Sequence, residues 1–102
     1  MAYKKYYKTI QQSNEKYQVL ANVYYQGTQR GFKHGCNEID IMNNEGDVLY
    51  SKTFDKPVTQ NYLNRTWEQY GYQSVLKKAV QKISKELFDK NINSEYIIEE
   101  VL

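Results

Sequence analysis

The chain has 102 residues and a formal net charge of only +2, so it is sized for one domain around one core, not two. Its 40% apolar content includes no run of about 18 residues able to span a bilayer, and the opening MAYKKYYKTI lacks the apolar stretch of an export signal. These features exclude a helical membrane protein and predict a cytoplasmic one, in keeping with a lone Cys36 that rules out an intrachain disulfide.

Residues 1–12 fit two patterns. Tyr3, Tyr6, Tyr7 and Ile10 have helical spacing, whereas the Tyr and Thr content favours a strand, which is the reading preferred here. Ser13-Asn14-Glu15-Lys16 then closes a hairpin onto Tyr17–Gln26, where Tyr17, Val19, Ala21, Val23 and Tyr25 alternate with Gln18, Leu20, Asn22, Tyr24 and Gln26. A further strand runs near Cys36 to Met42, with Ile39 and Ile41 inward and Glu38 and Asp40 outward. Asn43-Asn44-Glu45-Gly46 supplies turn chemistry before a strand from Val48 to Phe54. Pro57 removes a backbone donor, so Asp55 to Arg65 reads as a connecting loop.

Thr66 followed by Gln69 is a capping-box signal for a long helix, along which Tyr72, Leu76, Ala79, Val80, Ile83 and Leu87 build one apolar stripe. Asn91 and Asn93 are stop residues, and Ser94 is placed to cap a short last helix carrying Ile97, Ile98, Val101 and Leu102, with a final strand as the alternative. The expected architecture is a single α+β domain over 1–102. A three- to four-stranded antiparallel meander packs against one long C-terminal helix, with a short terminal helix or strand. If the N-terminal segment is helical instead, the order becomes α-β-β-β-α.

Charge is blocked along the chain. Residues 1–35 carry six positive charges against one negative, 36–55 one against five, 56–90 seven against three, and 91–102 three negatives alone. Such blocks predict a polarised surface.

No catalytic constellation emerges from the residues. His34 and Cys36, two apart on one strand, lack an orienting third group for a nucleophilic dyad, and one Cys with one His falls short of a zinc site. Glu38 and Asp40 with Asp47 and Asp55 are an acidic set that could gather a hard cation as metal-dependent nucleases do, but the strand alternation turns Glu38 and Asp40 to solvent. The expectation is a non-enzyme without cofactor or metal. The sequence does carry an excess of tyrosine, eleven residues against three Phe and one Trp, more than a core of this size can use. Tyrosine gives large amphipathic contact area for little side-chain entropy, the chemistry of recognition surfaces.

The expected partner-binding residues are Tyr3, Lys4, Lys5 and Tyr6 in the N-terminal segment, Tyr24, Tyr62 and Tyr70 elsewhere, and Arg30, Phe32 and Lys33 in the glycine-flanked loop Gly27 to Gly35. In that loop Phe32 is expected as an apolar tip. Interleaved aromatic and basic residues also suit direct nucleic-acid binding, through the N-terminal segment, this loop and the Lys78, Lys82 and Lys85 side of the helix.

The segment Asn64 to Ala79, with Thr66-Trp67-Glu68 and Tyr72-Gln73-Ser74-Val75, resembles a segment that opens a C-terminal helix in small accessory proteins of Gram-positive bacteriophages. The resemblance covers about a sixth of the chain. It implies a stoichiometric antagonist of a host macromolecule, a host protein or a protein–nucleic acid complex, of which anti-CRISPR inhibitors of defence nucleases are one kind. The alternative order α-β-β-β-α is similar in outline to double-stranded RNA-binding domains, but that family places its lysines directly after the last strand and this chain does not.

Overall fold

The structure is a computed structural model and describes residues 3–62 and 72–102. Four strands, β1 (Lys5–Ser13), β2 (Tyr17–Gly27), β3 (Phe32–Asn43) and β4 (Val48–Tyr62), precede two helices, α1 (Tyr72–Asp89) and α2 (Ser94–Glu100). The strands form one antiparallel sheet in the order β1-β2-β3-β4, the expected meander, and the N-terminal segment is a strand. Both helices lie on one face of the sheet, which makes the fold α+β.

The turns follow from local chemistry. In the β1–β2 turn the Asn14 side-chain oxygen accepts from the backbone N–H of Lys16 and Tyr17, and the Asn14 N–H donates to the Tyr17 carbonyl at 2.9 Å. In the β3–β4 turn Gly46 takes φ +93°, a conformation that L side chains rarely adopt, while Asn43 Oδ1 accepts from Glu45 and Asp47 N–H. Asn44 Nδ2 donates to the carbonyls of Asn14 and Glu15, which ties the two turns together at one end of the sheet.

Alternation in β2 buries Val19, Ala21 and Val23 beneath the helices, opposite Ile39, Ile41 and Cys36 of β3. From α1 come Val75, Leu76, Ala79, Val80, Ile83 and Leu87, all at most 1% exposed, so the expected stripe forms the core with Val75 added and with Tyr72 only half-buried at its start. Truncating any one of its larger members to alanine costs about 2–5 kcal/mol. Helix α1 ends in a left-handed residue, Asn91 at φ 61°. The N–H of Ile92 and of Asn91 donate to the carbonyls of Leu87 and Phe88, a Schellman ending that folds Ile92 back onto the core.

Three expectations are corrected. The segment Asp55 to Tyr62 is not a loop: β4 continues through Pro57 and pairs with β3 as far as Tyr62 opposite Phe32. Proline is tolerated there because β4 is an edge strand and because the register slips at that point, Phe54–Pro57 facing the single bulged residue Asn37. The cap of α2 is Asn93, whose Oδ1 accepts from the Tyr96 N–H at 3.1 Å, rather than Ser94. The expected loop from Gly27 to Gly35 shrinks to a tight turn, since β2 runs to Gly27 and β3 starts at Phe32, with the Thr28 N–H donating to the Gly31 carbonyl at 2.8 Å. The capping-box pair Thr66 and Gln69 lies outside the described residues.

Candidate interaction surface

Antiparallel register sorts the residues of the β2–β3 end onto two faces. On the helix side, Tyr6 pairs with Tyr25, Tyr25 with His34, and Phe32 with Tyr62. His34 is fully buried there among rings: Tyr72 at 4.8 Å, Phe32 at 5.2 Å, Tyr25 at 5.6 Å and Tyr62 at 5.9 Å between centroids. Phe32 is likewise fully buried and stacks on Tyr62 at 4.8 Å with 11° between planes. The expected apolar tip is therefore a core residue, because β3 begins at Phe32 and points its first side chain inward. Tyr62 is half-buried by the same stack.

Neither described helix lies on the opposite face of the sheet. Across it runs a row Lys5, Gln26, Lys33 and Asn61, followed by a row Tyr7, Tyr24, Gly35 and Thr59, then Thr9, Asn22, Glu38 and Thr53. Tyr24 sits in the middle of this face yet is only 3% exposed, since its ring occupies the space above Gly35 and is flanked by Tyr7 at 5.8 Å and Lys5 Nζ at 4.7 Å. Burial, and secondarily the Tyr7 phenol, push the Tyr24 phenol above its ordinary pKa. The expectation of an exposed Tyr24 is thus overturned by a covering layer that sequence alternation does not reveal.

Of the remaining expected contact residues, Tyr3, Lys4, Lys5, Tyr6, Arg30 and Lys33 lie toward one end of the sheet, on both of its faces, with Tyr7 and Lys8, which were not expected there, beside them. Tyr3, Tyr6 and Tyr7 are 40%, 58% and 63% exposed, and Lys4, Lys5, Lys8 and Arg30 are exposed with them, Lys33 being half-buried. Lys4 lies over Tyr6 at 5.6 Å and Lys8 over Tyr72 at 5.0 Å, so the ammonium groups cover ring faces while staying in water. Residues 3–14, 24–37, 56–62 and 72–78 contain no carboxylate, and the basic residues of the first two stretches share this end. Tyr70 lies outside the described residues.

The other end gathers carboxylates, with Lys16 among them over the Tyr96 ring at 5.1 Å. There Glu15 faces Tyr96, joined by Glu100, and burial with these two carboxylates raises the Tyr96 phenol. Glu45 and Asp47 stand on the neighbouring turn. The meander brings residues 3–8, 24–35 and 58–62 to one end of the sheet, so Lys4, Lys5, Lys8, Arg30 and Lys33 lie toward that end and Glu15, Glu45 and Asp47 on the turns of the other.

Other candidate chemistry is placed as follows. Cys36 is fully buried, donates to the Glu38 carbonyl at 3.5 Å, and has its thiol pushed up to about 12, chiefly by burial and against that hydrogen bond, so it stays protonated at neutral pH. Among the described residues no three His, Cys, Asp or Glu side chains gather as a metal site; Asp40 accepts from Ser51 Oγ and Asp47 Oδ2 from Asn43 Nδ2. Lys78 donates to the Thr59 carbonyl at 2.9 Å and Lys82 lies over Phe54 at 5.6 Å, so two of the three helix lysines brace β4. No described helix is long and apolar enough to cross a membrane. Comparison with protein families, with curated proteins and with solved structures finds no match.

Proposed function

We propose that this chain is a non-enzymatic binding protein that acts by stoichiometric occupation of an acidic surface on another macromolecule, through its basic, tyrosine-bearing end. The observation that carries the reading is the convergence of Tyr3, Tyr6 and Tyr7 with Lys4, Lys5, Lys8, Arg30 and Lys33 at one end of the molecule. Tyr6 and Tyr7 on the edge strand β1, and Tyr3 just before it, lie outside the core cluster, while exposed rings interleaved with cations supply contact area and electrostatic steering together. The resemblance of Asn64 to Ala79 to phage accessory proteins supports a host macromolecule as the target, a defence nuclease of the CRISPR type being one such target.

The test compares two immobilised proteins in a Gram-positive bacterial lysate: the native chain, and a variant carrying Tyr3→Ala, Tyr6→Ala, Lys4→Gln and Lys8→Gln. All four residues are exposed, so far-UV circular dichroism should be unchanged. A macromolecule retained by the native chain and released by the variant supports the reading. Identical retention by both proteins overturns it.

A further inference from the structure

We infer that the open face of the sheet at the basic end, centred on Tyr7 and flanked by the Lys5–Lys33 row, is a binding surface for single-stranded nucleic acid. The inference rests on the basic end being the contact surface and names the chemistry of its partner.

Three observations carry it. The first is the exposed ring: Tyr7 is 63% accessible on a face that neither described helix covers, and its cross-strand neighbour Tyr24 flanks it at 5.8 Å between centroids, the rings tilted by 54°. A base needs only such a ring to stack on, because every base has a π-face. The second is charge. Lys5 and Lys33 belong to one cross-strand row, separated by Gln26 and hence by about 10 Å, two strand spacings. They border Tyr7 on one side, and Arg30 stands in the adjoining turn. A strand whose base stacks on Tyr7 would run its phosphates along this row.

The third is relief. Gly35 lets the Tyr24 ring lie close against the sheet, and the rows on either side of it carry the polar residues Gln26 and Asn61, and Thr9 and Asn22 with Glu38 next in line. Clefts formed by the described residues include one between Pro57–Thr59 and α1 and one beside Phe88 to Glu95. Protein anchors bury into pockets, whereas stacked bases lie on open sheet faces. Duplex is a poorer fit, since its bases are already stacked and present no free π-face to Tyr7.

The experiment is a fluorescence anisotropy titration of the full chain against fluorescein-labelled oligothymidylate and oligouridylate of about 12 nucleotides, with a hairpin duplex as control, from about 50 mM salt upward. The expected result is salt-dependent binding to the single strands. Tyr7→Ala weakens it about tenfold without altering the salt slope, and Lys5→Gln with Lys33→Gln reduces the slope of log K against log salt by about 1.4. No binding at about 50 mM salt, equal binding of the duplex, or indifference to Tyr7→Ala overturns the inference. If the oligonucleotides fail while a nuclease-resistant protein partner is still lost from the Tyr3, Lys4, Tyr6, Lys8 variant, this inference falls and the broader reading stands.

Discussion

The ring of Tyr24 occupies the space in which any side chain at position 35 would begin: a Cβ on Gly35 would lie 2.0 Å from Tyr24 Cε1 and 2.2 Å from Cζ. The two residues face each other across β2 and β3, so the glycine is the seat of the tyrosine. Gly35→Ala must expel the ring, and overpacking of this kind costs about 1–3 kcal/mol. In a Tyr24→Ala background the same substitution should cost almost nothing. A double-mutant cycle by urea denaturation reads the coupling directly, and additive costs would show that the ring moves aside freely.

Phe32 and Arg30 are neighbours in sequence with opposite fates, the first fully buried beside His34 and the second exposed in the turn. Phe32→Ala should therefore destabilise the fold by about 3–5 kcal/mol, as for a large core side chain. Arg30→Ala should leave stability within about 0.5 kcal/mol. Thermal or chemical denaturation of the two variants distinguishes a core phenylalanine from a loop tip.

Asn91 ends α1 at φ 61°, where a β-branched side chain is strained and glycine is not. Asn91→Ile should cost about 1–2 kcal/mol, whereas Asn91→Gly should be neutral or slightly stabilising. The readout is the shift in urea midpoint at constant slope.

Burial raises the Cys36 thiol from 9.0 in the unfolded chain to about 12 in the fold. The protonated form is the one the folded state favours, so this contribution to stability is complete below pH 9 and is lost as pH rises toward 12. Within that window the loss approaches about 1.4 kcal/mol per pH unit. Urea midpoints from neutral pH into this window should fall more steeply for the native chain than for Cys36→Ala. Tyr24, raised in the same sense, accounts for part of the slope that the variant retains.

Much of the architecture was legible without coordinates because it depends on local patterning. The period of two in Tyr17 to Tyr25, the Asn-rich turn before Val48, and the three- and four-residue steps from Tyr72 to Leu87 each identify an element whose hydrophobic face has one way to be buried. The tyrosine and lysine content of the first strand gave its exposed, basic character in the same way, since an edge strand leaves many of its side chains in water.

What needed the tertiary structure was every relation between strands. Pro57 reads as a break until β4 is seen to be an edge strand with a slipped register, where a missing N–H costs no ladder bond. Tyr24 alternates outward and is nonetheless covered, because Tyr7 and Lys5 come from another strand and Gly35 from a third. The aromatic nest around His34 draws on β2, β3, β4 and α1, and no spacing along the chain encodes such a meeting. Side-chain periodicity fixes which way a residue faces; only strand pairing fixes what it faces.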